Sequence, residues 1–328
     1  MDKNIDINET NILINNPEVL EKLLQDHNTG NNIFWATESY SHLGEGYQFD
    51  DEITIDHITG ENGRTIQPRV VKEAAIQSQR SKDMAEVFTP SWICNIQNNL
   101  IDEAWFGRKD IFNIENHELS TWTPFEDKIE FSDVKSWKDY VRDLRLEITC
   151  GEGPYLASRY DAVSGEPIMD LSRRIGILDR KLRIVSENTE TSGDWIEWAK
   201  EALKSTYGFE WQGDNLLLAR ETLFYTVCDF FEDKFKRPIP RASLAGIADI
   251  ISWNIWQMDG LKFVVPTSCD KTSYSGLFGD LDKEECPGCK TGDPYSHIGI
   301  KCRIKDWRYT GKNPEKKTPL FVTLLKNK

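Results

Sequence analysis

No stretch of the 328 residues comes near the ~20 consecutive apolar positions of a bilayer-spanning helix, so that architecture is excluded. The opening "MDKNIDINETN" has neither the basic head nor the apolar run of a secretory signal, and a cytoplasmic address is expected. Basic residues are outnumbered, 40 against 54, and a net charge of −14 excludes nucleic-acid binding through the overall field. There is no internal repeat and no low-complexity tract. Cysteine is odd in number, at seven, which argues against a disulfide framework; three of the seven crowd between Cys286 and Cys302. What remains is a globular chain, 39% apolar with 11 tryptophans, long enough for roughly two domains.

The charge is unevenly spread. From Lys301 onward nine basic residues face two acidic ones, Asp306 and Glu315, a local balance of +7. A second basic stretch holds Arg64, Arg69, Lys72, Arg80 and Lys82 against Glu73 alone. Each is either a solvated face or a phosphate-binding patch.

Three regions are expected. Residues 1–64 should form a small α+β lobe, with Pro17 opening a helix over "EVLEKLL" and "ITIDHITGENGRTI" alternating about a glycine turn as a hairpin would. In residues 65–265, "PRVVKEAAIQSQRSKDMAEVF" has helical spacing, and Thr89 can cap a helix that has Pro90 in its first turn. Beyond Trp137, helices alternate with the strands "RLEI", "YGFE" and the start of "IWQMDGL", the pattern of a parallel sheet with helical crossovers. "SRRIGILDRKLRIV" reads as a basic helix whose Arg173, Arg174, Arg180, Lys181 and Arg183 would face DNA. Residues 266–328 carry the cysteine cluster and the basic tail.

"LEITCGEGPYL" places Glu147 at a strand end and Gly151 and Gly153 in the turn that follows, with Pro154 expected to open a helix. A strand, a carboxylate and a glycine turn suit a nucleotide crevice at the carboxyl ends of parallel strands. The dinucleotide spacing fails, because Leu156 stands where a third Gly or Ala is required, and no Gly-Lys-Ser/Thr forms a phosphate loop. A ligand approached closely by backbone, without a cradled pyrophosphate, fits S-adenosylmethionine. Asp179 and Glu210 compete for the ribose; "YGFE" favours Glu210 by supplying a strand that ends in the carboxylate.

Four segments in order, from Glu86 to Leu261, resemble the adenine-specific DNA methyltransferases of restriction-modification systems. "AEVFTPSWICNIQNNLID" is similar to the first motif of that family, which implies that Phe88, Thr89 and Pro90 pack over the methionine part of the cofactor. "EITCGEGPYL" resembles the glycine motif, with Glu147 in place of the usual Asp, followed by Cys150, Gly151 and Gly153. The resemblance further implies Glu210 on the ribose with Trp211 on adenine, and Asp259 beside Met258 accepting from the adenine amine. The implied fold is a Rossmann-like sheet, incomplete here, and the implied partner is double-stranded DNA.

The family's Asn/Asp-Pro-Pro-aromatic motif, which grips the flipped base, has no counterpart: the sequence contains no adjacent prolines, and Asn313-Pro314-Glu315 lacks both the second proline and the ring. In the family this motif would follow soon after a segment such as "PLFVTLLKNK". Either a second polypeptide supplies it, together with target recognition, or the chain is a truncated product. "CPGCKTGDPYSHIGIKC" offers Cys286, Cys289, His297 and Cys302 as a tetrahedral structural zinc site in a hairpin, with Cys269 an alternative to His297. The rival function is a non-catalytic, zinc-containing DNA-binding or interaction module.

Overall fold

The structure is a computed structural model that describes residues 9–72, 80–82, 89–271 and 285–327. The helices α1 (Glu9–Asn15), α2 (Pro17–Leu24), α3 (Ile55–Ile58) and α4 (Ser91–Phe106) precede a hairpin of β1 (Asn113–Asn116) and β2 (Thr121–Pro124). After α5 (Trp137–Val141) come β3 (Arg145–Glu147), α6 (Ile177–Asn188), α7 (Ser192–Lys204), β4 (Thr206–Glu210), α8 (Gly213–Phe235), α9 (Arg241–Asn254) and β5 (Ile255–Gln257). Three short helices close the order: α10 (Ser268–Lys271), α11 (Pro287–Thr291) and α12 (Pro314–Lys317). No helix of the described residues is long and apolar enough to cross a membrane.

The strands β3, β4 and β5 form a parallel sheet in sequence order, with Leu146 beside Tyr207 and Phe209 beside Trp256. Strand side chains alternate between faces. Leu146, Tyr207, Phe209 and Trp256 therefore share one face, while Arg145, Glu147, Thr206, Gly208, Glu210 and Gln257 share the other. The first face is covered by Phe34, Val265, Cys302 and Phe321. This cover includes the antiparallel return of residues 303–306 along 317–320, bonded from Ile304 N–H to the Pro319 carbonyl and from Asp306 N–H to the Lys317 carbonyl. The large apolar core unites α6 to α9 with α2, whose Leu20 and Leu23 are fully buried.

Buried charge fastens these layers. Arg220 on α8 donates to the carbonyls of Leu23, Gln25, Ser252 and Ile255, so one guanidinium joins α2, α9 and β5. Asp102 on α4 accepts from Arg145 at 2.7 Å, Arg180 at 2.5 Å and the Tyr140 hydroxyl at 2.8 Å. Removing one partner of such a set leaves an uncompensated buried charge and costs about 3–5 kcal/mol.

Several expectations fail. Residues 53–66 form no hairpin: Thr54 opens α3, its N–H donating to His57 Nδ1 at 3.4 Å, and Ile53, Ile58 and Ile66 are all buried. Ile58 reaches the core from the helical turn, Ile53 from just before it and Ile66 from a bend well after it, where strict alternation would have split the three between two faces. Among the described residues of 9–64 there are helices and isolated bridges but no strand, so the β part of the expected lobe is not observed. Pro90 is the residue before α4, one place earlier than expected, with Asp161 accepting from the Ser91 N–H at 2.6 Å. No helix starts at Pro154; the chain turns through Tyr155 to Gly176 before α6 begins. Most of 68–88, expected to be helical, lies outside the described residues, and Arg69–Val71 is a single 3-10 turn.

Candidate cofactor crevice and metal centre

The carboxyl ends of the three parallel strands carry Glu147, Glu210 and, two residues past β5, Asp259. Between β3 and the loop beyond it the backbone reverses through three left-handed residues, Thr149 (φ 51°), Gly151 (φ 55°) and Gly153 (φ 80°). The two glycines adopt this region without penalty; a β-branched threonine there is strained. The turn is tied to β4: Cys150 N–H donates to the Phe209 carbonyl at 2.9 Å, and Gly151 N–H donates to Glu210 Oε2 at 3.0 Å. Gly208 is required by close approach, because a Cβ there would sit 3.0 Å from Leu156 Cδ1 and 3.2 Å from Cys150 Sγ.

Burial pushes the Glu147 carboxyl up to about 7, and no hydrogen bond or ion pair reaches it among the described residues. Burial likewise raises Glu210 to about 7, opposed by the N–H groups of Gly151, Gln212 and Trp211. Asp259 Oδ1 closes its own turn, accepting from Leu261 N–H at 2.9 Å and Lys262 N–H at 3.0 Å. Asp179, the rival for the ribose, serves the local turn through Oδ2, which accepts from Ser158 N–H at 2.7 Å and Gly176 N–H at 2.9 Å, while its Oδ1 is buried without a partner.

Thr89 lies beside the glycine turn. The Cys94 thiol meets the Thr89 carbonyl at 3.6 Å, and the hydroxyl of Tyr155 is perturbed by burial and by its neighbours Thr89, Cys94 and Glu147. Thr89, Glu147, Cys150, Gly151, Gly153 and Glu210 thus gather in one place, and Pro90 follows Thr89 directly. Phe88 lies outside the described residues. Met258 and Trp211 are placed differently. The Met258 thioether accepts from Trp256 Nε1 at 3.3 Å within the apolar cluster on the opposite sheet face. Trp211 packs at the edge of the same cluster, its indole N–H donating to the Ala36 carbonyl. The sequence reading also missed Glu152, the residue between the two glycines. Its carboxylate accepts from the Arg69 N–H and, at 2.6 Å, from the Tyr160 hydroxyl, so residues 68–72 are held against the turn. Only the position of Glu152 between two glycines could have signalled this.

The metal group is Cys269, Cys286, Cys289 and His297, whose ligand atoms all lie within 4.8 Å of one another. The three sulfurs stand 3.5, 3.6 and 3.7 Å from His297 Nδ1. A tetrahedral zinc with ordinary Zn–S and Zn–N bonds requires S···N edges of about 3.6 Å, so the group can hold a metal such as zinc. The Ile298 N–H points at Cys286 Sγ from 3.4 Å. Together with His297 and Cys269, this bond draws the Cys286 thiol down to about 6 against the opposing effect of burial, which favours a thiolate ligand. Gly288 makes room for the histidine, since a Cβ there would fall 2.6 Å from the His297 ring.

Cys302 is not part of this group, contrary to expectation. It is fully buried in the apolar cluster under the sheet, its thiol directed at the Gln257 carbonyl 3.6 Å away. Cys269 takes the place assigned to it, while His297 remains. Pairing does this: Val265 N–H donates to the Ile300 carbonyl and Val264 bridges Lys301, which carries α10 back to the cysteine pair.

The expected basic helix starts only at Ile177, and its segment turns most of its charge inward: Arg174 is buried against Asp229 at 2.7 Å, and of the five residues only Arg173 is exposed. Arg180 and Lys181 are buried, Lys181 donating to the carbonyls of Asp143 and Ser205, and Arg183 is bound to Glu187 and the Phe125 carbonyl. Lys72 and Arg80 of the second basic stretch are also spent, both paired at 2.9 Å with Asp214, which also accepts from the Tyr40 hydroxyl at 2.8 Å. In the tail, Lys312, Lys316 and Lys317 are exposed. Asn313 caps α12 through Glu315 N–H, as a helix start and not as a base-gripping motif. No family model matches this chain, and neither does any curated protein or solved structure.

Proposed function

We propose that the chain binds S-adenosylmethionine at the carboxyl ends of β3, β4 and β5, within a Rossmann-like half-sheet. On this reading it is the cofactor-binding part of a DNA adenine methyltransferase of a restriction-modification system. The observation that carries the reading is the placement of Glu147, Glu210 and Asp259 at the ends of three adjacent parallel strands, beside a left-handed turn bonded to Glu210. Ligands of open parallel sheets bind outside such strand ends. Glu210 accepts from the N–H groups of Gly151, Gln212 and Trp211, and its remaining acceptor capacity would serve a ribose hydroxyl. Asp259 Oδ2 faces the Lys262 ammonium at 4.0 Å and takes no backbone N–H, so it would accept from an adenine amine beside that lysine. Glu147, half-buried and without a partner among the described residues, suits a cationic group. The bound cofactor would supply the methyl; the chain's residues hold its ribose and adenine and fix its direction.

Transfer also needs acceptors at the base amine, and the Pro-Pro-aromatic motif that would supply them is not among these 328 residues, so on this reading they come from outside them. The four-ligand metal group has no open position and would hold structural zinc. Purified chain incubated with tritiated cofactor and unmodified duplex DNA should incorporate no label. Incorporation that Asp259→Ala abolishes would overturn the need for a partner. A second reading, a non-catalytic zinc-containing module that binds DNA or protein, is favoured by the Cys3His group itself and by the exposed Lys312, Lys316 and Lys317.

A further inference from the structure

We infer that the metal centre regulates the proposed cofactor crevice: an ion held by Cys269, Cys286, Cys289 and His297 fixes the turn that presents Asp259. The coupling to the cofactor rests on the reading of Asp259 as an adenine acceptor; the effect of the ion on the turn does not. The two sites share one piece of backbone. Past β5, the Asp259 N–H donates to the Val264 carbonyl at 2.8 Å and the Phe263 N–H returns to the Asp259 carbonyl at 2.7 Å, which closes the turn. The next residues lead straight to the metal centre: Val264 also bridges Lys301, and the Val265 N–H donates to the Ile300 carbonyl at 2.8 Å. The Ser268 hydroxyl completes the set, donating to the Val265 carbonyl at 2.6 Å and accepting from the Ile300 N–H at 3.0 Å. Cys269 follows Ser268 on one arm of this pairing and His297 precedes Ile300 on the other, so a shared ion would clamp the two arms together.

Val264 is the direct link. Its carbonyl holds the Asp259 N–H, while its side chain is fully buried in a small cluster whose other members are the ligand cysteines Cys269, Cys286 and Cys289. Val265, by contrast, is anchored in the larger cluster under the sheet and is the fixed neighbour. Strain lets the arm switch. Phe263 (φ 58°) and Thr267 (φ 58°) both stand in the left-handed region, and the Thr267 Oγ1 is buried without a hydrogen-bond partner. A bulky and a β-branched residue persist in that region only where their surroundings over-determine them. With the ion bound, the cysteines are drawn together and Val264 is gripped between them and Asp259. Once it is removed, Thr267 relaxes to ordinary backbone, the cysteines part, and Val264 loses the packing that aims its carbonyl. The glycine turn stands apart, since Cys150 and Gly151 bond to Phe209 and Glu210 and not to this arm. A ligand that prefers the ordered turn must in return tighten the ion by the same factor.

The test is amide hydrogen exchange of the full chain, read on peptides by mass spectrometry, with zinc bound and after its removal by EDTA, elemental analysis verifying the loss. Exchange across residues 258–266 should quicken roughly tenfold or more on removal, as expected for a local opening, and recover when zinc is returned. Residues 148–157 should be unchanged. Thr267→Gly removes both the strain and the unpartnered hydroxyl, so its metal-free form should keep most of its protection. Calorimetric titration with S-adenosylmethionine should give an affinity about fivefold or more weaker without zinc. Failure to take up zinc, unchanged exchange at 258–266 in protein that has lost it, equal quickening at 148–157, or full quickening in Thr267→Gly would overturn the proposal. Equal cofactor affinity with and without zinc would overturn it as well. A folded, zinc-loaded chain that gives no heat with S-adenosylmethionine would contradict the cofactor reading instead, and the exchange result would still decide whether the ion fixes the turn.

Discussion

Glu147 ends β3 with a carboxylate that burial alone pushes up to about 7, well above the usual carboxylate value. Its folded pKa is raised, so its contribution to stability is present in full below the unfolded value near 4. That contribution falls as pH rises and is gone once the pH has passed about 7. Glu147→Gln keeps the shape and removes the charge. The variant should match the wild type in urea unfolding near pH 4.5 and exceed it near pH 8, by on the order of 1–2 kcal/mol. Equal midpoints at the higher pH would mean that the carboxylate is solvated or paired. Glu147 stands at the strand end without a hydrogen-bond partner among the described residues, whereas Asp179 lies away from the strand ends and spends Oδ2 on Ser158 and Gly176.

Among the elements, α10 and α11 meet in a small cluster of Val264, Cys269, Cys286 and Cys289, so a metal held by the cysteines and His297 would decide how they are fixed. Elemental analysis should find one metal per chain in the wild type and in Cys302→Ser, and none in Cys269→Ser or Cys286→Ser. Cys302→Ser should instead lower stability by about 1–3 kcal/mol, as expected for a hydroxyl placed in an apolar core. Loss of metal in Cys302→Ser with retention in Cys269→Ser would reverse the ligand assignment. The Cys-x-x-Cys pair and His297 were legible because their spacing is local; Cys269 was not, since only the pairing of Val264 and Val265 with Ile300 and Lys301 brings it near. The three strands of the sheet and the long α8 were legible for a similar reason: each is a short apolar or periodic run between clear breaks. The segment 53–66 misled because isoleucines two apart mimic alternation while Thr54 and His57 close a helical turn. The basic run 173–183 misled because the sequence shows charge but not its partners: Asp102, the Ser205 carbonyl and Asp229 lie far away along the chain, and only Glu187, one turn from Arg183, is local.

At the scale of the whole molecule, helices cover one face of a three-stranded parallel sheet and the 302–321 return covers the other, leaving one end for function. That end carries the carboxylates and the glycine turn. The most direct test of the account is calorimetric titration of the full chain with S-adenosylmethionine and with its demethylated product. Saturable one-to-one binding is predicted. Glu210→Ala and Asp259→Ala should each weaken it by about 0.5–1.5 kcal/mol, as expected for one lost hydrogen-bond acceptor, and Asp179→Asn should leave it unchanged. Absence of heat with both compounds from folded protein, or affinity indifferent to Glu210 and Asp259, would contradict the assignment of the strand ends.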